Sequence, residues 1–134
     1  MKILLISHGD FAAGLCSTLR NFFGAENVYA ACVTQENGTA DMLAAANRYL
    51  HDWGNEQVVI CSDLKSGSAN QAALPLRTRP NTFLISGMNL SLVLQIQMED
   101  AVTAESLQEM IETAKQDMLL LNDNAAGVMD EDDE

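Results

Sequence analysis

Apolar residues follow two rhythms along this chain. Short unbroken runs predict strands at Ile3 to Ser7, Asn27 to Val33, Gln57 to Ser62 and Thr82 to Ser86. Between them apolar positions recur every three or four residues, the spacing of one helix face. Phe11, Leu15, Leu19 and Phe22 draw such a face, with Asp10 suited to the helix start and Gly24 to its end. Met42, Ala46, Leu50 and Trp53 draw the next, with Thr39 as its cap and Gly54-Asn55 as its stop. A third helix begins at Ser68 and is ended or kinked by Pro75, which removes an amide donor. A fourth carries Leu90, Val93, Leu94 and Met98 behind a cap at Asn89. The last starts near Thr103 and runs through Leu107, Met110, Ile111, Ala114, Met118 and Leu121.

Strands this uniformly apolar have no wet face, so the alternation predicts an α/β fold in which helices cover both faces of a parallel sheet. Right-handed crossovers leave the doubly wound order 2-1-3-4 as the commonest choice at this size. In that order strands 1 and 3 are neighbours whose connections leave to opposite faces. The crevice outside their carboxyl ends is where such sheets bind ligands. His8 ends strand 1 and Asp63 ends strand 3. Topology alone thus brings together two residues far apart in sequence.

That pair suggests chemistry. A neutral imidazole can attack through one ring nitrogen while a carboxylate holds the proton on the other. Two helix starts, after Gly9 and after Gly67, offer amide donors for an anion, and Ser66 and Ser68 add hydroxyls. A phosphoryl group fits these parts, because its transfer needs positioning and charge stabilisation above all. Against this stands the plainer reading of a hydrogen-bonded loop histidine and an aspartate that merely shapes a turn. The Walker pattern is absent. His51, beside Asp52, reads as a surface residue, and Met110 and Met118 read as core.

Composition narrows the class. With 134 residues, 48% apolar and 19% charged, the chain holds one globular core. A net charge of -12 opposes binding to nucleic acid. The acidic end, Asp130 to Glu134, reads as a solvated tail after a domain spanning 1–129. Cys16, Cys32 and Cys61 are odd in number and lack metal-type spacing, which favours free thiols in a reducing compartment. No apolar run has the length of a signal peptide core or a membrane span, so a cytoplasmic location is expected.

The strand Ile3 to Ile6 leading into Ser7-His8-Gly9-Asp10-Phe11-Ala12-Ala13-Gly14-Leu15 resembles the mannose-family enzyme IIA components of the bacterial phosphoenolpyruvate-dependent sugar phosphotransferase system (PTS). The likeness continues through Gly24 to Val28, Asp63 to Ala72 and Gly87 to Leu90. It implies a phosphotransferase without metal or cofactor. The histidine at the position of His8 would accept a phosphoryl group from phospho-HPr and pass it to a histidine of an enzyme IIB component. Asp63 would orient the ring, and Ser68 with nearby amides would hold the phosphoryl oxygens. The resemblance also implies a homodimer that exchanges an antiparallel fifth strand, for which Ala125 to Met129 is the candidate, and indirect association with membrane IIC and IID components. Three positions depart from the family pattern: Ser66 replaces a glycine, Ala69 a proline, and Ser91 a proline after Asn89. The alternatives are a phosphoryl-donor subunit for a dihydroxyacetone kinase and a non-catalytic regulatory or oligomerisation domain in which His8 only packs.

Overall fold

A computed structural model of the chain describes residues 1–123. Four parallel strands, β1 (Lys2–His8), β2 (Val28–Val33), β3 (Val58–Ser62) and β4 (Thr82–Ser86), form one sheet in the order 2-1-3-4. Helices α1 (Phe11–Phe23), α2 (Thr39–Trp53), α3 (Ser68–Ala73), α4 (Leu90–Gln97) and α5 (Ala104–Lys115) connect and follow them. The expected α/β architecture and strand order therefore hold. The expected fifth strand at Ala125 to Met129 lies outside the described residues, as does the acidic end.

Alternation along the strands divides the core in two. Ile3 and Leu5 of β1, with Val59 and Cys61 of β3, pack with α1, α4 and α5. Leu4 and Ile6, with Val58 and Ile60, pack with α2 and α3. All eight are fully buried, as a sheet covered on both faces requires. The same alternation places Ser7 under α1 and sends His8 to the side of α3.

Several helix faces differ from expectation. In α1 the buried positions are Ala12, Cys16 and Leu19, while Phe11 and Phe22 are 52% and 82% exposed. Small side chains let the helix lie close to the sheet, and Arg20 reaches past it to the Val28 carbonyl. Leu15 and Leu19 of the expected face do meet the core, so the size of Phe11 and Phe22 misled only at the two ends of the stripe. In α4 the inner residues are Leu92, Val93 and Ile96, whereas Leu90 and Met98 are exposed. The last helix stops at Lys115, which leaves Met118 and Leu121 exposed rather than in the core. Met110 does pack against the core, and His51 is at the surface. Cys16 and Cys61 are buried free thiols, and Cys32 is half-buried.

The helix caps also correct the expectation in part. Gly24 ends α1 at a φ of 70° and Asn89 Oδ1 accepts the Leu92 amide at 2.8 Å, as expected. Pro75 follows the end of α3 in a short 3-10 turn, Leu74–Thr78. Thr39 is the first residue of α2 and does not cap it. Asp10 makes no side-chain cap either. Ser7 does that work from inside the sheet: its hydroxyl oxygen accepts the buried Ala12 amide at 2.7 Å and its hydrogen goes to the His8 carbonyl at 3.1 Å. A Ser7→Ala variant would leave that amide without its partner. Urea unfolding is expected to show a loss of about 1–3 kcal/mol. A loss under 0.5 kcal/mol would mean that the bond contributes little.

Candidate functional site

The site is assembled where β1 and β3 end side by side. β1 carries His8 to its last residue, and the loop after β3 brings Asp63 across from it. The Asp63 carboxylate accepts twice on Oδ2, from the His8 backbone amide and from the ring Nδ1, each at 2.9 Å. Its Oδ1 accepts the Leu64 amide at 2.8 Å. The other ring nitrogen, Nε2, lies 2.9 Å from the Ser68 hydroxyl oxygen at the start of α3. Ionised Asp63 can only accept, so in the neutral ring Nδ1 carries the proton and Nε2 carries the lone pair. Ser68 then donates to that lone pair. The His8 side chain is 45% exposed and that of Asp63 12% exposed, so the ring opens to solvent while its partner does not.

Burial alone would raise the Asp63 pKa. Hydrogen bonds from the His8 amide, the His8 ring and the Leu64 amide, together with the nearby ring charge, outweigh that and hold the carboxyl below the usual carboxylate range. It remains ionised, as an orienting carboxylate must. By contrast, burial pushes the Cys61 thiol up to about 12, which leaves it inert beneath the site.

The two glycines contribute space and shape rather than donors. Gly9 adopts a φ of +55°, and its amide already donates to the Val33 carbonyl at 2.7 Å. The Gly67 amide donates to the Leu64 carbonyl at 3.1 Å. Among the described residues, the amides of Asp10, Ser66 and Ser68, on the two loops that meet at His8, are among those with no protein acceptor. Ser66 itself is exposed on the outer part of its loop and makes no hydrogen bond to His8. The structure thus brings His8, Asp63, Gly67 and Ser68 into contact and leaves Ser66 at the margin.

Gly67 is needed for close approach. A Cβ built there would lie 2.9 Å from His8 Cε1 and 3.3 Å from Leu64 Cβ. Its φ of -77° and ψ of 160° suit any residue. Gly67→Ala is therefore expected to fold with nearly unchanged stability but to displace a ring held at both nitrogens. The displaced ring should move its nitrogen resonances in an NMR spectrum, read beside a melting curve. Unchanged resonances would show that the ring tolerates the added methyl group.

Two contributors escaped the sequence reading. Ser62 and Asn70 are 0% and 4% exposed and hydrogen-bond to each other at 2.7 Å beneath the loop. The Ser62 carbonyl also accepts the Gly87 and Met88 amides, each at 3.0 Å. An alternation count from Val58 would have turned Ser62 toward α3, where a buried hydroxyl needs a partner. Among the described residues no three His, Cys, Asp or Glu side chains gather as a metal centre requires, and no helix is long and apolar enough to cross a membrane.

Comparison with known proteins bears on the family and the fold. Residues 2–115 match the family described as PTS system fructose IIA component, EIIA-man. No curated protein matches the chain. Among solved structures, a PTS IIA protein associated with the fucose utilization operon of Streptococcus pneumoniae is similar, with TM-score 0.81 at 21% identity over 92% of this chain and 95% of that one. The phosphotransferase system component EIIA from Streptococcus agalactiae gives 0.78 at 21% identity, over 90% of this chain and 97% of that one. The mannose/sorbose specific IIA subunit from Enterococcus faecalis gives 0.68 at 24% identity over 86% of each chain. At these identities the structural likeness speaks for the fold alone.

Proposed function

The chain belongs to the EIIA-man family of PTS IIA components, and we propose that His8 is the residue through which it carries a phosphoryl group. Phospho-HPr is the donor and a histidine of an enzyme IIB component the acceptor. The Nε2 lone pair of His8 attacks phosphorus. A new P–N bond forms as the donor's P–N bond breaks, and its electron pair returns to the donor ring. The proton on Nδ1 stays where Asp63 holds it, and the carboxylate offsets the positive charge that the His8 ring acquires. Ser68 gives up Nε2 and turns its hydroxyl to a phosphoryl oxygen, joined by the free amides of Ser66 and Ser68. Transfer to the IIB component runs through the same geometry in reverse.

The observation that carries this reading is one ring held at both nitrogens, by a carboxylate on one side and by a hydroxyl on the other, while almost half open to solvent. A histidine that only packs needs neither the ionised partner nor the opening. Incubation of the protein with phosphoenolpyruvate, enzyme I and HPr is expected to add one phosphoryl group that acid removes. No addition under conditions that phosphorylate HPr would overturn the reading.

The family membership also supports a cytoplasmic homodimer that reaches membrane IIC and IID components through IIB. β4 is an edge strand whose register turns the backbone groups of Thr82, Leu84 and Ser86 outward. A groove of about 290 Å³ runs beside it against α5, lined by residues including Phe83, Leu84, Leu107 and Ile111. A second copy adding a strand there would pair these groups. The opposite edge is partly closed, because Arg20 and Cys16 both donate to the Val28 carbonyl on β2.

A further inference from the structure

Asn70 lies two residues beyond Ser68, on the buried side of α3, and its carboxamide is used in two directions. Oδ1 accepts the Ser62 hydroxyl at 2.7 Å, and Nδ2 donates to the Lys65 carbonyl at 2.9 Å. One bond is to the last residue of β3, the other to the middle of the loop that follows it. Between Lys65 and Asn70 lie Gly67, whose missing Cβ makes room for the His8 ring, and Ser68, whose hydroxyl meets Nε2 at 2.9 Å. The loop therefore bridges the same strand twice, once through the chain at Asp63 and once through Asn70. Ser68 sits within the segment so fixed.

We propose that Asn70 is a positioning residue for phosphoryl transfer: by tying the loop carbonyl of Lys65 to Ser62 on β3, it sets the place of the Ser68 hydroxyl opposite His8 Nε2. This rests on His8 being the phosphoryl carrier. The physical reason is a conflict at that hydroxyl. Ser68 must leave the lone pair when phosphorus approaches and bind a phosphoryl oxygen afterwards. Side-chain rotation alone can do this only if the backbone stays fixed. Gln71 Nε2 also donates to the Lys65 carbonyl, at 3.1 Å, but it is exposed and does not reach β3. Asn70 alone among the described residues joins that carbonyl to Ser62, in a buried setting where a carboxamide holds its geometry.

The test is a cycle of Asn70→Ala, Ser68→Ala and the double variant. In unphosphorylated protein, loss of the Ser68 hydrogen bond should move the His8 Nε2 resonance in a nitrogen NMR spectrum. Asn70→Ala should move it the same way, and the double variant should match Ser68→Ala alone. The single-turnover transfer rate of Asn70→Ala should fall about tenfold, with little added loss once Ser68 is gone. An unmoved Nε2 resonance, or losses that simply add, would overturn the proposal. Where Asn70→Ala does not fold, Ser62→Ala removes the same contact from the strand side and is judged by the same resonance. The resonance is read without any phosphate, so absence of phosphorylation in the wild type would count against the carrier reading and leave the positioning of Ser68 still decided.

Discussion

His8→Gln is expected to abolish phosphorylation by phospho-HPr altogether. Glutamine supplies no nucleophilic nitrogen, because its amide lone pair is delocalised into the carbonyl. His51 cannot substitute, since it lies exposed in the last turn of α2, where the chain returns to the start of β3, whereas His8 and Ser68 lie at the strands' carboxyl ends. The fold should survive. His8 ends its strand with a half-open side chain, and its backbone amide keeps its bond to Asp63. The variant loses two hydrogen bonds of a half-open side chain, so a stability loss of about 1–2 kcal/mol is expected. Equal labelling of the variant and the wild type would place the phosphoryl group elsewhere.

Asp63→Asn should be the next most damaging change. Asparagine fills the same space, but its carbonyl oxygen can face either the two His8 donors or the Leu64 amide, and the NH2 group set against the other can only donate. It brings no negative charge. The proton on Nδ1 is held less firmly, and the charged ring formed on attack loses its counterion. Transfer rate is expected to fall on the order of 10²–10⁴-fold, by analogy with an orienting aspartate in a catalytic triad. The loss should appear in kcat and not in KM for phospho-HPr, because Asp63 is too enclosed to meet a docking protein. A change confined to KM would make Asp63 a docking residue.

The same carboxylate has a consequence for acid stability. Its folded pKa lies below that of the unfolded chain, so its contribution is fully present above about pH 4 and is lost as pH falls through the folded value. Wild type and Asp63→Asn should therefore converge in stability as the solution is acidified below about pH 4. A gap that stayed constant through that range would mean that the carboxylate gains nothing from its three donors.

How much of this was legible in the sequence follows from which forces set each feature. The strands and their order were readable because unbroken apolar runs and crossover handedness leave few arrangements. The His8–Asp63 pairing then followed from topology. The two ends of the buried stripe of α1 were not readable from side-chain size, since a helix lying close to the sheet buries Ala12 and Cys16 and turns Phe11 and Phe22 outward. Asp10 takes the N-cap position of α1 but does not make the capping bond, for a related reason. Ser7, inside the sheet, reached the Ala12 amide first, and that is a tertiary contact across the strand end. Asn70 was hidden in the same way, as a polar residue in a run of small ones whose partner lies eight positions back.

The central claim concerns one atom. The most direct measurement is phosphorus-coupled nitrogen NMR of the protein labelled in its histidine rings and phosphorylated through HPr. Coupling at Nε2 of His8, with the proton retained on Nδ1, is the result that the site geometry requires. Phosphorus bonded to Nδ1, or to any other side chain, would contradict it.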